Sequence, residues 1–550
     1  MNRLLAAARS AAAASVAALA NPGVRRVQAA WLLGFTADTA LLVLLAVTAF
    51  AAAGAVGVAV LGAARMLPST VFGFLAAAPL GRWRGDRVLL GLAVARGLAA
   101  LGAIGVILAG ADVLWLYAVA AVTGAADALG RPAQHTVLPA LATTPGELVT
   151  ANVASSTGEA IGSFAGPLIA AACIALGVPA AAAIAALAAQ ALGAIALFGI
   201  RFEHAADERG PETREPGGGL RIAVGFAAIR RRPAIGLVIV GFSAQTLVRG
   251  LLATLIVVLS TELVGLGEPG VGLLNAAIGV GGMAGMIGGL ALRRSTPLAY
   301  TAALAAWGLP IAIIGVAPAA GVALVALAAV GLANALLDIV GFTLLQRGCR
   351  NEERGAVFAI FEGAVGIGAT VGSLGAPLLI DLLGSRAALV GTGVILPAAA
   401  VILGLLFRRL GHAEVVSTDD IEHLQRVPAF RVLPLTGLER LVASAVPVSF
   451  RAGDVLMRKG EAGDRFLVID TGNVEVSDDG RVLDLLGPGA GIGEIALLRG
   501  GPRTATVTAL TDVTAQAFDA AAFLAAVSGP GAASAITRVV DERLTRSATD

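Results

Sequence analysis

Twelve separate stretches of this chain are long, apolar and almost free of charge: residues 28–52, 57–79, 88–110, 113–133, 150–176, 179–200, 234–260, 270–292, 297–317, 321–345, 355–382 and 387–407. A helix rises about 1.5 Å per residue, so about 20 apolar residues match the roughly 30 Å hydrocarbon core of a bilayer. In lipid every backbone N–H and C=O must find its partner inside the segment, which leaves the helix as the form such runs take. Composition agrees: hydrophobic residues make up 57% and charged residues 14%, with a mean hydropathy of +0.86. Residues 28–407 are therefore expected to form an all-α bundle of twelve transmembrane helices.

The connections set the orientation. One set carries Arg25 and Arg26; Arg82, Arg84 and Arg87; Arg131; residues 201–232; Arg293 and Arg294; Arg347, Arg350 and Arg354; and Arg408 and Arg409. The alternating set is short and nearly bare, with Arg386 its one exception. Excess Arg marks cytoplasmic loops, so both termini are expected in the cytoplasm of a multi-pass cell-membrane protein. Residues 1–27 read as a cytoplasmic lead-in, because Met1–Ala20 lacks the strong Leu/Ile/Val core of a signal peptide. Of the 39 basic residues only Lys459 is a lysine, which suggests a GC-rich bacterial genome.

Residues 201–232 form the longest internal connection and split the spans into six plus six, 28–200 and 233–407. An internal repeat supports the split. Gly158-x-x-x-Gly162-Ser-x-x-Gly166-Pro167-Leu-Ile in the fifth span is echoed by Gly368-x-x-x-Gly372-Ser-x-x-Ala376-Pro377-Leu-Leu in the eleventh. Over residues 28–407 the chain resembles the major facilitator superfamily, whose two parallel six-helix repeats imply a substrate site between them. Gly158, Gly162, Gly166 and Pro167 resemble the antiporter motif of export-type members, and such glycines let helices approach closely. Gly281, Gly285 and Gly289 of the eighth span are expected to face them. Leu80-Gly-Arg-Trp-Arg-Gly-Asp86-Arg87 resembles the superfamily's gating loop, although Gly81 stands one position late and the trailing Arg pair is missing. Asp86 and Arg87 are its candidate gating residues.

Ionisable groups at membrane depth are costly and so mark candidate sites. Here they are Asp38, Arg65, Arg96, Asp127, Arg131, Glu159, Arg249, Asp338 and Glu362. The resemblance implies a cavity lined by the first, fourth, seventh and tenth spans, which carry Asp38, Asp127, Arg249 and Asp338. With Glu159 these are the candidates for transport and proton coupling, since burial moves a carboxyl towards neutral pH. The alternative is structural pairing, for example Asp38 with Arg65 or Glu159 with Arg131. Arg96, Arg131 and Glu362 are expected to snorkel from helix ends. The sequence shows no metal-ligand cluster, no Ser/His/Asp constellation and no Walker loop, so neither a catalytic residue nor a metal is expected, and no enzyme. Cys173 and Cys349 read as free thiols.

The character of the chain changes at Arg408. A linker, 408–420, leads to residues 421–550, expected to be a small α+β domain with a β-roll or jelly-roll core. Ile421–Ala445 reads as helical; strands are expected at Val446–Phe450, Asp454–Arg458, Arg465–Thr471, Asn473–Ser477, Val482–Leu486 and Thr504–Leu510, between glycine turns. Within it stands Gly491-Ile-Gly-Glu-Ile-Ala-Leu-Leu-Arg-Gly-Gly-Pro-Arg-Thr-Ala-Thr-Val507. Backbone N–H groups and an Arg fork suit phosphate oxygens, and a carboxylate suits ribose hydroxyls. The run resembles the phosphate-binding cassette of cyclic nucleotide-binding domains. The resemblance implies that Glu494 accepts from the ribose and Arg503 grips the cyclic phosphate, with Gly493, Ile495, Ala496, Thr504 and Ala505 completing the cradle. Cyclic AMP is favoured over cyclic GMP as regulatory ligand, although Thr504 is compatible with either. A last helix after Ser528 is expected to close over the base. With no helix-turn-helix following it, nucleic acid is not an expected partner.

These readings converge on a proton-coupled exporter of a small solute, regulated by cyclic nucleotide, with the lipid bilayer, the nucleotide and a small-molecule substrate as partners. The alternatives are a nucleotide-binding membrane sensor with little transport, or a carrier of lipid or lysolipid. A nucleotide-gated channel is disfavoured, because no pore loop or Arg-rich voltage sensor is present.

Overall fold

The computed structural model describes residues 21–75, 85–141, 145–200, 218–289, 296–349, 351–410, 441 and 444–527. The chain divides into two compact units, Met1–Gly411 and His412–Asp550.

The described part of the first unit is helical: α1 Pro22–Leu75, α2 Gly85–Ala109, α3 Leu114–Leu141, α4 Pro145–Ala175, α5 Pro179–Leu197, α6 Gly218–Arg231, α7 Pro233–Val258, α8 Gly267–Gly289, α9 Pro297–Val316, α10 Ala320–Gly348, α11 Asn351–Leu383 and α12 Ser385–Leu410. At 54 residues, α1 would be about 80 Å long if straight, more than twice the bilayer core. It breaks instead at Ala53 and Gly54, and Gly54 takes φ 58 and ψ −149, a conformation a side chain would oppose. The break falls at the connection expected between the first two spans. Ten helices among the described residues are long and apolar enough to cross a membrane, the broken α1 counted once; Leu114–Gly130 of α3 is a shorter apolar stretch.

Glycines set the seams. A Cβ on Gly162 would lie 3.0 Å from the Thr36 nitrogen of α1, and one on Gly166 would lie 2.8 Å from the Ala40 nitrogen. The Thr39 hydroxyl of α1 donates to the Gly162 carbonyl at 2.9 Å. The repeated glycines do the same in the other half: Gly368 lies on Ser243 and Gly372 on Leu247, both in α7. So the motif joins α4 to α1, and its echo joins α11 to α7. The expectation for the eighth span needs correction. Gly281, Gly285 and Gly289 lie against Ala328, Leu332 and Ile339 of α10, not against α4. It is Gly272 and Gly279, earlier in the same helix, that meet Pro167 and Ser163. Small residues on several faces of α8 give sequence spacing no means of choosing among neighbours.

In the second unit two four-stranded antiparallel sheets pack face to face. The strands are β1 Val446–Phe450, β2 Val455–Met457, β3 Arg465–Thr471, β4 Val474–Asp478, β5 Arg481–Leu486, β6 Gly491–Ile492, β7 Thr506–Ala509 and β8 Val513–Asp519, with short helices α13 Glu494–Arg499 and α14 Ala520–Val527. The sheet orders are β1-β8-β3-β6 and β2-β7-β4-β5, the β-roll expected. Leu467 and Ile469 of β3 join Val474, Ile492, Val507 and Val513 in the sandwich core. Phe466, on the other face of β3, stacks on Phe523 of α14 at 4.8 Å. That is why β3 reads as an unbroken apolar run: both its faces are covered. β6 and β8 were not among the expected strands. β8 pairs with both β1 and β3, yet its inward positions include Ala515 and Ala517, weak strand formers.

The lead-in 1–20, the Leu80–Arg84 part of the gating loop, residues 201–217, the linker 411–420, most of Ile421–Ala445 and the helix after Ser528 lie outside the described residues. Asp86 and Arg87 stand in the first turn of α2, where an acidic side chain suits the helix dipole.

Candidate functional site

The cassette is built where β6 ends. Ile492 pairs with Leu467 of β3, and the chain then turns through Gly493 at φ 95, ψ 2. A Cβ there would lie 2.5 Å from Arg503 Nη1 and 2.9 Å from Met457 Cε, so glycine answers both the backbone angle and the crowding. Glu494 opens α13 and is buried, as is Ala496, while Ile495 is half-buried. After α13 the chain returns through a bridge between Pro502 and Ala462. Backbone bonds from Arg503 N to Glu461 O (2.8 Å) and from Gly460 N to Arg503 O (2.9 Å) fix the return.

Arg503 is 5% exposed. Its Nη1 donates to the Gly493 carbonyl at 2.9 Å; its Nη2 donates to the Arg465 carbonyl at 2.6 Å and to Asp464 Oδ1 at 3.2 Å. A guanidinium carries five N–H donors in a fixed fork, so it can stay anchored to Gly493 and still grip an anion. Thr504, exposed, and Ala505, half-buried, follow at once. The structure thus brings Gly493, Glu494 and Arg503 into one turn. Sequence reasoning missed Asp464. A hydrogen bond from Arg465 is the main cause holding its carboxyl below the usual carboxylate range, with Arg503 adding to it. Asp464 therefore stays ionised near neutral pH, as a counterion to Arg503 that a phosphate would challenge.

The first unit holds a cavity of about 440 Å³ lined by α1, α2, α3, α5, α7 and α11. Its wall carries a chain of alternating charges. Gln190 Nε2 of α5 donates to Asp38 Oδ1 at 3.2 Å. Asp38 Oδ2 lies 3.1 Å from Arg96 Nε. Arg96 Nη2 donates to Asp127 Oδ1 at 3.0 Å, and Arg65 Nη2 to Asp127 Oδ2 at 2.5 Å. Taking each ion out of water costs several kcal/mol, and alternation of sign is what offsets that cost. Asp38 and Asp127 are therefore together, and Arg249 of α7 lines the same cavity.

Three expectations change. The counterion of Asp38 is Arg96, and Arg65 belongs to Asp127. Arg96 does not snorkel: it stands eleven residues into α2, about 16 Å from its start, with its side chain 12% exposed. Asp338 is not among the residues lining this cavity. It accepts from Asn334 Nδ2 at 2.9 Å, and Asn334 Oδ1 accepts from Gln245 and Trp307, each at 3.1 Å. Glu159 is half-buried on α4 and is likewise absent from the lining; the side chain of Arg131 lies outside the described residues.

The lining runs from Val27, Leu89 and Leu197, at the ends of α1, α2 and α5 that adjoin Arg25, Arg26 and Arg87, to Leu42, Gly62 and Ser373. The halves meet at more than one depth: Gly366 lies on Thr70, Gly62 on Ser373 and Gly272 on Pro167. Among the described residues no group of three His, Cys, Asp or Glu could hold a metal ion, and Cys173 and Cys349 are free.

The profile of the Major Facilitator Superfamily matches residues 29–357, and that of the cyclic nucleotide-binding domain matches residues 447–529. Curated relatives share the shorter match. "Acetyltransferase Pat" of Mycolicibacterium smegmatis is 40% identical over 114 residues, 20% of this chain and 34% of that protein. A "CRP-like cAMP-activated global transcriptional regulator" of Mycobacterium tuberculosis is 31% identical over 132 residues, 23% of this chain and 59% of its own. A "cGMP-dependent protein kinase" of Drosophila melanogaster is 34% identical over 105 residues, 19% of this chain and 9% of its own. The chain thus spans less than two thirds of each of these relatives. The acetyltransferase shares only the nucleotide-binding part, and neither matched family is enzymatic.

Proposed function

This chain belongs to the Major Facilitator Superfamily, and on that premise we propose that it is a secondary active, proton-coupled exporter of a small solute, regulated by a cyclic nucleotide bound at Glu494 and Arg503. One observation carries the reading: a single chain holds a charged cavity between two glycine-seamed halves and, in a separate unit, an intact cradle around Gly493 and Arg503.

In this reading there are twelve spans, the two arms of α1 and the apolar part of α3 supplying those beyond the long unbroken helices. The halves are 28–200 and 233–407, joined by 201–232; the linker 408–420 leads to the nucleotide-binding domain 421–550. Both termini and that domain are cytoplasmic in this reading, which the Arg-rich loops support. The cavity lining reaches the Arg-bearing ends of α1, α2 and α5, which supports loading from the cytoplasm, as export needs. Asp38 and Asp127 carry the coupling proton, because protonating either one changes which charges Arg96 must balance. The glycines of α4 hold α1 at Thr36–Ala40, the stretch that bears Asp38, which gives the export-type motif a physical task. Asp86 and Arg87 remain the gating pair, and Asp338 and Glu159 act outside the cavity wall.

In the cradle, Glu494 accepts from the ribose and Arg503 holds the cyclic phosphate, with Ile495, Ala496, Thr504 and Ala505 around them. Cyclic AMP is the preferred ligand: the M. tuberculosis regulator is named for it, while the Drosophila kinase and the Thr504 hydroxyl keep cyclic GMP as the competitor to test. A ligand shifts the transport cycle only by its differential affinity for the two conformations, so coupling requires that nucleotide bind one of them better.

Proteoliposomes loaded with a cytosolic metabolite extract test the coupling. Under an imposed pH gradient the wild type is expected to move at least one solute. Asp38→Asn is expected to lose the dependence on the gradient while still exchanging that solute at equilibrium. Gradient-driven flux undiminished in Asp38→Asn removes Asp38 from the proton path.

A further inference from the structure

We infer that α6, in the connection between the two halves, lies in the membrane interface with Val224 and Phe226 among lipid acyl chains. The inference goes beyond the transport reading and needs only that the bundle spans a membrane. Contacts with α11 fix the depth of α6. At its end, Arg231 Nη1 donates to Glu353 Oε1 at 3.2 Å. Arg232, the single residue between α6 and α7, reaches Glu353 Oε2 at 3.5 Å and donates to the Gly348 carbonyl at 2.5 Å. Glu353 opens the apolar stretch of α11, Glu353–Leu383. Six residues before Arg231, Gly225 lies on Ile360 and on the Ala356 carbonyl. Ile360 stands seven residues past Glu353, about 10 Å further along α11. So α6 does not run out into water. It runs back beside the first turns of a spanning helix, at the depth where headgroups give way to hydrocarbon.

The helix period shows which side of α11 it covers. At about 100° per residue, Ile360, Ile367, Val371, Leu374 and Leu378 fall on one stripe. The last four are exposed, as the lipid-facing side chains of a bundle are. Val365, Ala369 and Ser373, which line the cavity, fall on the opposite face. α6 therefore continues the outer stripe of α11 and stands away from the cavity.

Its own faces agree. Gly225 and Ala228 turn inward, and Ala228 is buried. Val224 and Phe226 flank Gly225 and are 40% and 59% exposed. Apolar side chains exposed at this depth meet acyl chains. Arg230, one turn after Phe226 on the same face, is also exposed and lies nearer the Glu353 end. Its guanidinium there meets lipid phosphate, a group its planar fork fits. An apolar body with a cation on its outward side is the order that an interfacial helix needs. The occupant of this face is thus bilayer phospholipid, and one end of the connection between the halves is held at the membrane surface.

The test uses the wild-type full chain in nanodiscs of phosphatidylcholine that carries a diazirine in one acyl chain. After photolysis and proteolysis, mass spectrometry reads the carbene adducts. Residues 223–230 are expected to carry them at about a third or more of the yield at residues 367–378 of α11. Phe226→Asp is expected to lower the α6 yield about threefold or more, because a charge is driven out of hydrocarbon. An unchanged α11 yield in that variant reports an intact bundle. A wild-type α6 yield below the expected share overturns the proposal, whether water or a protein surface covers the helix. So does a yield that Phe226→Asp leaves unchanged. The wild-type measurement decides the matter even where the variant fails to fold.

Discussion

Replacing Arg503 with alanine is expected to weaken cyclic AMP binding by the full chain about a hundredfold or more, which is about 2.7 kcal/mol. Two losses add. The charge-assisted fork to the phosphate goes, and such bonds contribute about 1.5–3 kcal/mol. The Gly493 and Arg465 carbonyls also lose their donor, so the turn that positions Glu494 loosens. Arg503→Lys keeps a positive charge but cannot span Gly493 and Arg465 together, and should fall between alanine and wild type. Isothermal titration of the detergent-solubilised protein gives the affinities. Arg503 is buried and holds two backbone carbonyls, so the variant's thermal unfolding is followed alongside, and affinity is read at a temperature where the domain is folded. An alanine variant that binds as tightly as wild type removes Arg503 from the site.

The second large effect concerns Asp127. Asp127→Ala leaves Arg65 and Arg96 with Asp38 alone between them. Stripping one partner from a fully buried pair costs about 3–5 kcal/mol; here the Asp127 side chain is 30% exposed on the cavity wall, so the loss falls below that figure. The expected result is a marked fall in thermal midpoint and loss of flux. Asp127→Asn keeps the shape and an acceptor for Arg65, and should lose less. Its value lies in the cycle: Arg65→Gln added to Asp127→Asn removes the surplus cation and should recover part of the stability. A double variant no more stable than Asp127→Asn would show that the contact between Arg65 and Asp127 does not carry the network. Thermal unfolding of the four proteins in the cycle measures it.

Much of this could be read from residue order alone. Apolar runs, Arg-rich loops and the Gly491–Val507 cassette are local signals, each written within a single segment. The break in α1 fell at its expected connection because the apolar run is too long for one span and Gly54 can take the conformation a turn needs. What escaped was relational. Arg96 looked like a residue near a helix end, yet its partners come from α1 and α3 and are visible only once those helices surround it. Asp464 carried no signal of its own, because its link to Arg503, 39 residues on, exists only in the fold. The glycines of α8 were legible as a small face, but which neighbour they met was not, since Gly272 and Gly281 differ only in the direction they point. β8 hid behind alanines that pack well between β1 and β3 while giving little strand signal.

The central claim is that a cytoplasmic nucleotide sets the rate of a membrane carrier, and flux measures it most directly. Proteoliposomes holding the full chain, loaded with cytosolic extract and energised by a pH gradient, are followed by mass spectrometry with and without cyclic AMP at the nucleotide-binding face. Cyclic AMP is expected to change the rate of at least one protein-dependent flux several-fold in the wild type and to leave Arg503→Ala unmoved. Flux that is the same with and without nucleotide in both proteins, at concentrations that saturate binding, would contradict it.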